Sequence, residues 1–97
     1  MKFPKKIKVL CNDYQVETYT KPESVDNESV IRIDPNWNEQ TQARTFLHEI
    51  IHAVFFMMGI KKDTDTEEKI VEPLASGLAT VMRDNPKLFQ GIQKALK

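Results

Sequence analysis

Two residue types are nearly missing from this chain, and each scarcity limits what it can do. There is one cysteine, Cys11, and there are two histidines, His48 and His52, among 97 residues. A lone cysteine forms no internal disulfide, so a disulfide-stapled fold is excluded. Cys11 reads as a small buried strand residue, because a catalytic thiol would need a histidine and both are committed elsewhere. Net charge is missing as well: fourteen basic and fourteen acidic side chains cancel. No overall field draws the chain to nucleic acid or to an anionic membrane, so neither is expected as a partner. No long apolar run follows the basic start Met1-Lys2-Phe3-Pro4-Lys5-Lys6. Neither a signal peptide nor a membrane span is expected, and the reading is cytoplasmic. Internal repeats and low-complexity tracts are absent too.

What remains is the composition of a folded soluble protein, 40% hydrophobic and 29% charged. At this length it forms one domain, 1–97, with a single core. Residues 1–35 read as a β-rich part. Ile7-Lys8-Val9-Leu10-Cys11 is β-prone, Asn12-Asp13 is a turn signal, and Tyr14 to Tyr19 alternates as a return strand. Lys21 to Ser29 is polar and aperiodic, a loop. Ser29 to Asp34 is a third strand stopped by Pro35. The expected sheet is three-stranded and antiparallel.

Residues 36–59 read as one long helix, capped by Asn36 or Asn38 and closed by Gly59. Ala43, Phe46, Leu47, Ile50, Val54, Met57 and Met58 recur at helical spacing. Residues 64–97 read as a further helical part, with capping signals at Thr64-x-x-Glu67 and Asp65-x-x-Glu68. Pro73 lies inside that run and predicts a kink or a break. Asn85 caps a last helix that starts at Pro86 and turns Leu88, Phe89, Ile92, Ala95 and Leu96 inward. The fold class is therefore α+β, a small sheet packed on a long helix with two further helices.

The chemistry concentrates in Phe46-Leu47-His48-Glu49-Ile50-Ile51-His52. Four residues apart on a helix, His48 and His52 project one turn apart from one face and can reach one small cation, most plausibly Zn²⁺. Glu49 can reach a water on such a metal, the position of a general base. A catalytic zinc site takes three protein ligands. No third histidine or second cysteine exists, so the missing ligand is a carboxylate. Glu68 and Glu72 share a helix face. One can ligate while the other accepts the far N–H of a ligating imidazole, with Glu68 as ligand and Glu72 outside it, or the reverse. Glu67 is a third candidate. A bland alternative is a polar pair at the border of an ordinary core helix.

In order, the strand ending Ile31-Arg32-Ile33-Asp34-Pro35, the His48–His52 motif, Glu68-Lys69-Ile70-Val71-Glu72 and Arg83-Asp84-Asn85-Pro86 resemble the small phage and prophage proteins of the ImmA/IrrE type. More widely the chain is similar to the gluzincin metallopeptidases, from about Ile7 to Pro86. The resemblance implies a minimal zincin-like fold in which His48, His52 and Glu68 bind zinc and Glu49 is the base. It implies peptide-bond hydrolysis in a specific protein substrate, aligned along the strand Val30, Ile31, Arg32 and Ile33. Tyr14, Tyr19 and Arg32 are the available donors for the oxyanion. With so short a chain the cleft has few walls, so a homodimer or a partner protein could complete it. The alternative is a catalytically inactive zinc-binding interaction module.

Overall fold

Apolar–polar alternation, broken by Val30 at the start of the third strand, builds the sheet. In the computed structural model, which describes residues 2–18 and 30–96, β1 (Lys6–Val9), β2 (Asn12–Thr18) and β3 (Val30–Ile33) form one sheet in the order β1-β2-β3. Ile7, Val9, Tyr14, Val16, Ile31 and Ile33 share the face that packs in the core. Lys6, Lys8, Gln15 and Glu17 take the other face, where Arg32 lies 3.8 Å from Glu17.

Two expectations about the strands need correction. The hairpin turns at Leu10-Cys11, not Asn12-Asp13, and Val9 pairs with Asn12. The shift is two residues, so every side chain keeps its face. Leu10 adopts a φ of 55°, and Cys11 is exposed in the turn rather than buried in a strand. The sheet is also mixed rather than antiparallel, because β3 runs parallel to β2 with Val16 opposite Ile31. A parallel neighbour needs a connection of about a dozen residues to carry the chain back along the strand. The eleven residues 19–29 have that length, which the antiparallel expectation ignored. The expected strand end at Tyr19, the loop 21–29 and the strand start at Ser29 lie outside the described residues.

Helix α1 (Glu39–Met57) lies between the sheet and helix α2 (Thr64–Asp84), against β1 and β3 on one side and α2 on the other. Asn38 caps α1, its side chain accepting from the Thr41 amide at 2.8 Å. Buried Gln42 donates from Nε2 to the carbonyls of Asp34 and Pro35, at 3.2 and 3.3 Å, fastening the β3–α1 connection. At the other end Ile60 N donates to Phe55 O and Gly59 N to Phe56 O, with Gly59 at φ 72°. This two-bond closure needs a left-handed residue, the conformation glycine takes at least cost.

The core is Val9, Tyr14, Ile31, Ile33, Phe46 and Ala53, flanked by Phe3, Ile7, Val16, Ile50, Val54 and Met57. Phe3 stacks on Phe46 at 5.1 Å. Val71 and Ala75 are the buried residues of α2.

The helical part also departs from expectation. Asp63 caps α2 instead of Thr64 or Asp65, accepting from both the amide and the hydroxyl of Thr66. The helix runs unbroken through Pro73. Pro73 and Lys69, whose carbonyl loses its helical donor, are both exposed, so water can serve that carbonyl. Helix α3 (Pro86–Ala95) begins at Pro86 after Asn85, as its sequence predicts, but buries no side chain. Leu88, Ile92 and Leu96 face outward at 55%, 43% and 75% exposure. The main packing of α3 is against α2, the helix before it. Among the described residues no helix is long and apolar enough to cross a membrane.

Candidate metal centre

Helix α1 turns Phe46, Ile50, Ala53 and Met57 toward the sheet, which leaves positions 48 and 52 on the flank facing α2. Both imidazoles are largely enclosed there, with side chains 15% and 22% exposed. Their rings meet edge to face, centroids 4.7 Å apart, and the two Nε2 atoms lie 3.1 Å from each other.

Packing of Val71 and Ala75 against α1 brings the first turns of α2 over those rings. Three glutamates arrive together. Glu68 reaches both inner nitrogens, with Oε2 3.3 Å from His48 Nε2 and Oε1 2.5 Å from His52 Nε2. Glu72 Oε2 lies 2.8 Å from His48 Nδ1. Glu67 contacts His52 Nδ1. Each ring therefore meets Glu68 on one nitrogen and a second carboxylate on the other. His48, His52 and Glu68 offer three ligand atoms within 4.8 Å of one another. Around a tetrahedral ion with ligands about 2.0–2.2 Å away, ligand atoms sit about 3.3–3.6 Å apart, close to two of these separations.

The proton bookkeeping of this cluster is unusual. A carboxylate only accepts, so each neutral imidazole can offer its one N–H either outward from Nδ1, to Glu72 or Glu67, or inward from Nε2, to Glu68. With both protons outward on Nδ1, the two Nε2 lone pairs and the Glu68 carboxylate converge as three acceptors, an arrangement that suits a cation at its centre. Partial burial disfavours the His52 cation, yet hydrogen bonds to Glu67 and Glu68 and the charges of Glu68 and Glu49 outweigh it and raise its pKa above the usual imidazole value. Glu67 and Glu68 also sit in the first turn and a half of α2, where the helix dipole favours carboxylates.

No protein-family model, curated protein or solved structure matches this chain.

Glu49 borders two shallow grooves that flank the cluster. One, of about 240 Å³, is lined by Tyr14, Val30, Ile31, Glu49, His52, Ala53 and Phe56. The other, of similar size, is lined by Arg44, Thr45, His48, Glu49 and Glu72. Among the described residues strand β3 is an edge of the sheet, and Val30 and Ile31 on it line the first groove. Of the three oxyanion candidates, Tyr14 lines this groove. Arg32 falls between core-facing Ile31 and Ile33, so its side chain emerges on the opposite face beside Glu17. Tyr19 lies outside the described residues.

Sequence reasoning treated Glu67 as a spare ligand and overlooked its contact with His52 Nδ1. A signal was available: two ligating imidazoles ask for two outer acceptors and one carboxylate ligand, and α2 opens with three glutamates. The apolar contributions of Ala53 and Phe56 to the groove depend on where the sheet edge falls and carry no local signal.

Proposed function

We propose that the protein is a zinc-dependent metallopeptidase that hydrolyses peptide bonds in a specific protein substrate. The observation that carries this reading is the convergence of His48 Nε2, His52 Nε2 and the Glu68 carboxylate, three groups that could ligate one ion, between helices α1 and α2. His48, His52 and Glu68 would hold the ion. Glu72 and Glu67 would fix the two ring tautomers and orient the lone pairs. When bound, zinc supplies Lewis-acid polarisation of the scissile carbonyl and brings the pKa of its water down toward about 7.

The chain's own residues do the remaining work. Glu49 takes a proton from the attacking water and passes it to the departing amine. The edge of β3 offers backbone groups to an extended peptide, which would lie beside Glu49 and His52. Apolar Val30, Ile31, Ala53 and Phe56 suit an aliphatic or aromatic substrate residue. Such a protease, of phage or prophage type, would act in the cytoplasm on a regulatory protein.

Two measurements test the reading. Metal analysis of protein purified without chelator should find one zinc per chain, lost in His48→Ala and Glu68→Ala. A peptide-library digest should show cleavage that disappears in Glu49→Gln while zinc is retained. Zinc without any cleavage would favour the inactive interaction module, and no zinc would end both readings.

A further inference from the structure

The groove beside Glu49 contains a polar group that nothing in the fold uses. Tyr14 is 3% exposed, its ring packed in the core cluster with Phe46 and Ala53. A buried tyrosine hydroxyl ordinarily finds a hydrogen-bond partner. Among the described residues that of Tyr14 has none, neither on a side chain nor on the backbone. Yet among the described residues no fully buried side-chain oxygen or nitrogen lacks a partner. The hydroxyl is therefore the part of Tyr14 that still meets open space. The space Tyr14 lines is the groove shared with Glu49, His52 and the β3 residues Val30 and Ile31.

We infer that Tyr14 is a catalytic residue, whose hydroxyl donates a hydrogen bond to the carbonyl oxygen of an apolar peptide substrate as that oxygen gains negative charge. The inference rests on the peptidase reading. As the water oxygen bonds to the carbonyl carbon, the C=O π pair moves onto oxygen, and Glu49 holds the proton removed from water. When that pair returns, the C–N bond breaks and the nitrogen takes the proton from Glu49. Tyr14 keeps its own proton throughout and contributes only the O–H dipole. Its value lies in being fixed beforehand: a ring locked in the core needs no reorganisation when charge develops. Arg44, the cation of the neighbouring groove, is exposed and must be ordered each time.

The test uses Tyr14→Phe, which removes one oxygen and leaves the ring. The melting temperature should stay within about 2 °C of the parent or rise, because no hydrogen bond is lost. Zinc stoichiometry should be unchanged. Two probes are then titrated into zinc-loaded protein. A leucyl-phosphonamidate tripeptide carries a tetrahedral oxyanion, and the matching tripeptide thiol reaches metal without one. The phosphonamidate should bind Tyr14→Phe about 10–100-fold more weakly, as expected for one oxyanion donor in a partly open site, and the thiol equally well. Equal phosphonamidate binding, or a clear drop in melting temperature, overturns the role. If the parent protein binds zinc and thiol but not phosphonamidate, the Tyr14 role fails while the metal reading survives. If it binds no zinc, both fall. Should the variant not fold, Tyr19→Phe leaves Tyr14 as the sole tyrosine of the two. Its Raman tyrosine doublet must then shift toward a donating hydroxyl on phosphonamidate addition, and an unmoved doublet overturns the inference.

Discussion

Removing the outer carboxylates one at a time should weaken zinc binding unequally, with Glu67 mattering more than Glu72. Each contacts the Nδ1 of one imidazole that would ligate the zinc of the proposed site. Loss of such a partner ordinarily costs 10–100-fold in metal affinity, about 1.4–2.7 kcal/mol. The two contacts are not equally sheltered: the Glu67 side chain is 23% exposed and that of Glu72 63%. Water can replace Glu72 and screens it more, so Glu72→Ala should lose a few-fold and Glu67→Ala about 10–100-fold. At a fixed free zinc concentration that saturates both proteins, the Glu67→Ala loss corresponds to about 6–20 °C in Tm for a domain of this size. Glu67 also stabilises the start of α2 through the helix dipole, so the metal-free melting of each variant must be subtracted. Glu67→Gln keeps an acceptor while removing the charge and should fall between the two. Competition titration against a chelator at pH 7.5 and constant ionic strength reads the affinities. Losses below threefold for both variants, or a larger loss for Glu72→Ala, would refute the assignment of the two carboxylates to the two rings.

Other expectations can be checked on the same protein. Leu10 holds a φ of 55° in the hairpin turn with its side chain half exposed, so Leu10→Asn should raise the unfolding free energy by about 0.5–1 kcal/mol in urea titration. Gly59 closes α1 at φ 72°, and although a Cβ there would meet nothing, Gly59→Ala should cost about 1 kcal/mol from backbone conformation alone. Ile33 is fully buried between the sheet and α1, and Ile33→Ala should cost about 2–5 kcal/mol. The pH response follows from His52, whose pKa is raised in the folded state. Without metal, its stabilising contribution is complete below the unfolded value of about 6.5 and is lost as pH rises through the raised folded value. Metal-free protein should therefore lose stability from pH 6 to 8 relative to His52→Gln, whereas apparent zinc affinity should rise over that window as the competing proton leaves.

Features that depend on a few neighbouring residues were legible in the chain itself. The helical spacing of His48 and His52, a cap at one of Asn36 and Asn38, the stop at Gly59 and the start of α3 at Pro86 are local consequences of backbone geometry and hydrogen-bond supply. Alternation likewise put Ile7 and Val9 on one face, even where the turn was misplaced by two positions and Cys11 fell in it. Other features were settled by contacts between segments far apart in sequence. The direction of β3 depends on how a connection of eleven residues is used, and its length permits either answer. The outward face of α3 reflects the reach of the other elements, since amphipathic spacing says that a helix has an apolar side and not that anything covers it.

The same division runs through the candidate site. Sequence alone determined which residue types could serve: two imidazoles one turn apart, a glutamate beside them, and a following helix that opens with acids. Only the tertiary structure decided which acid meets which nitrogen, because that pairing depends on how Val71 and Ala75 seat α2 on α1, a rotation that no local pattern encodes.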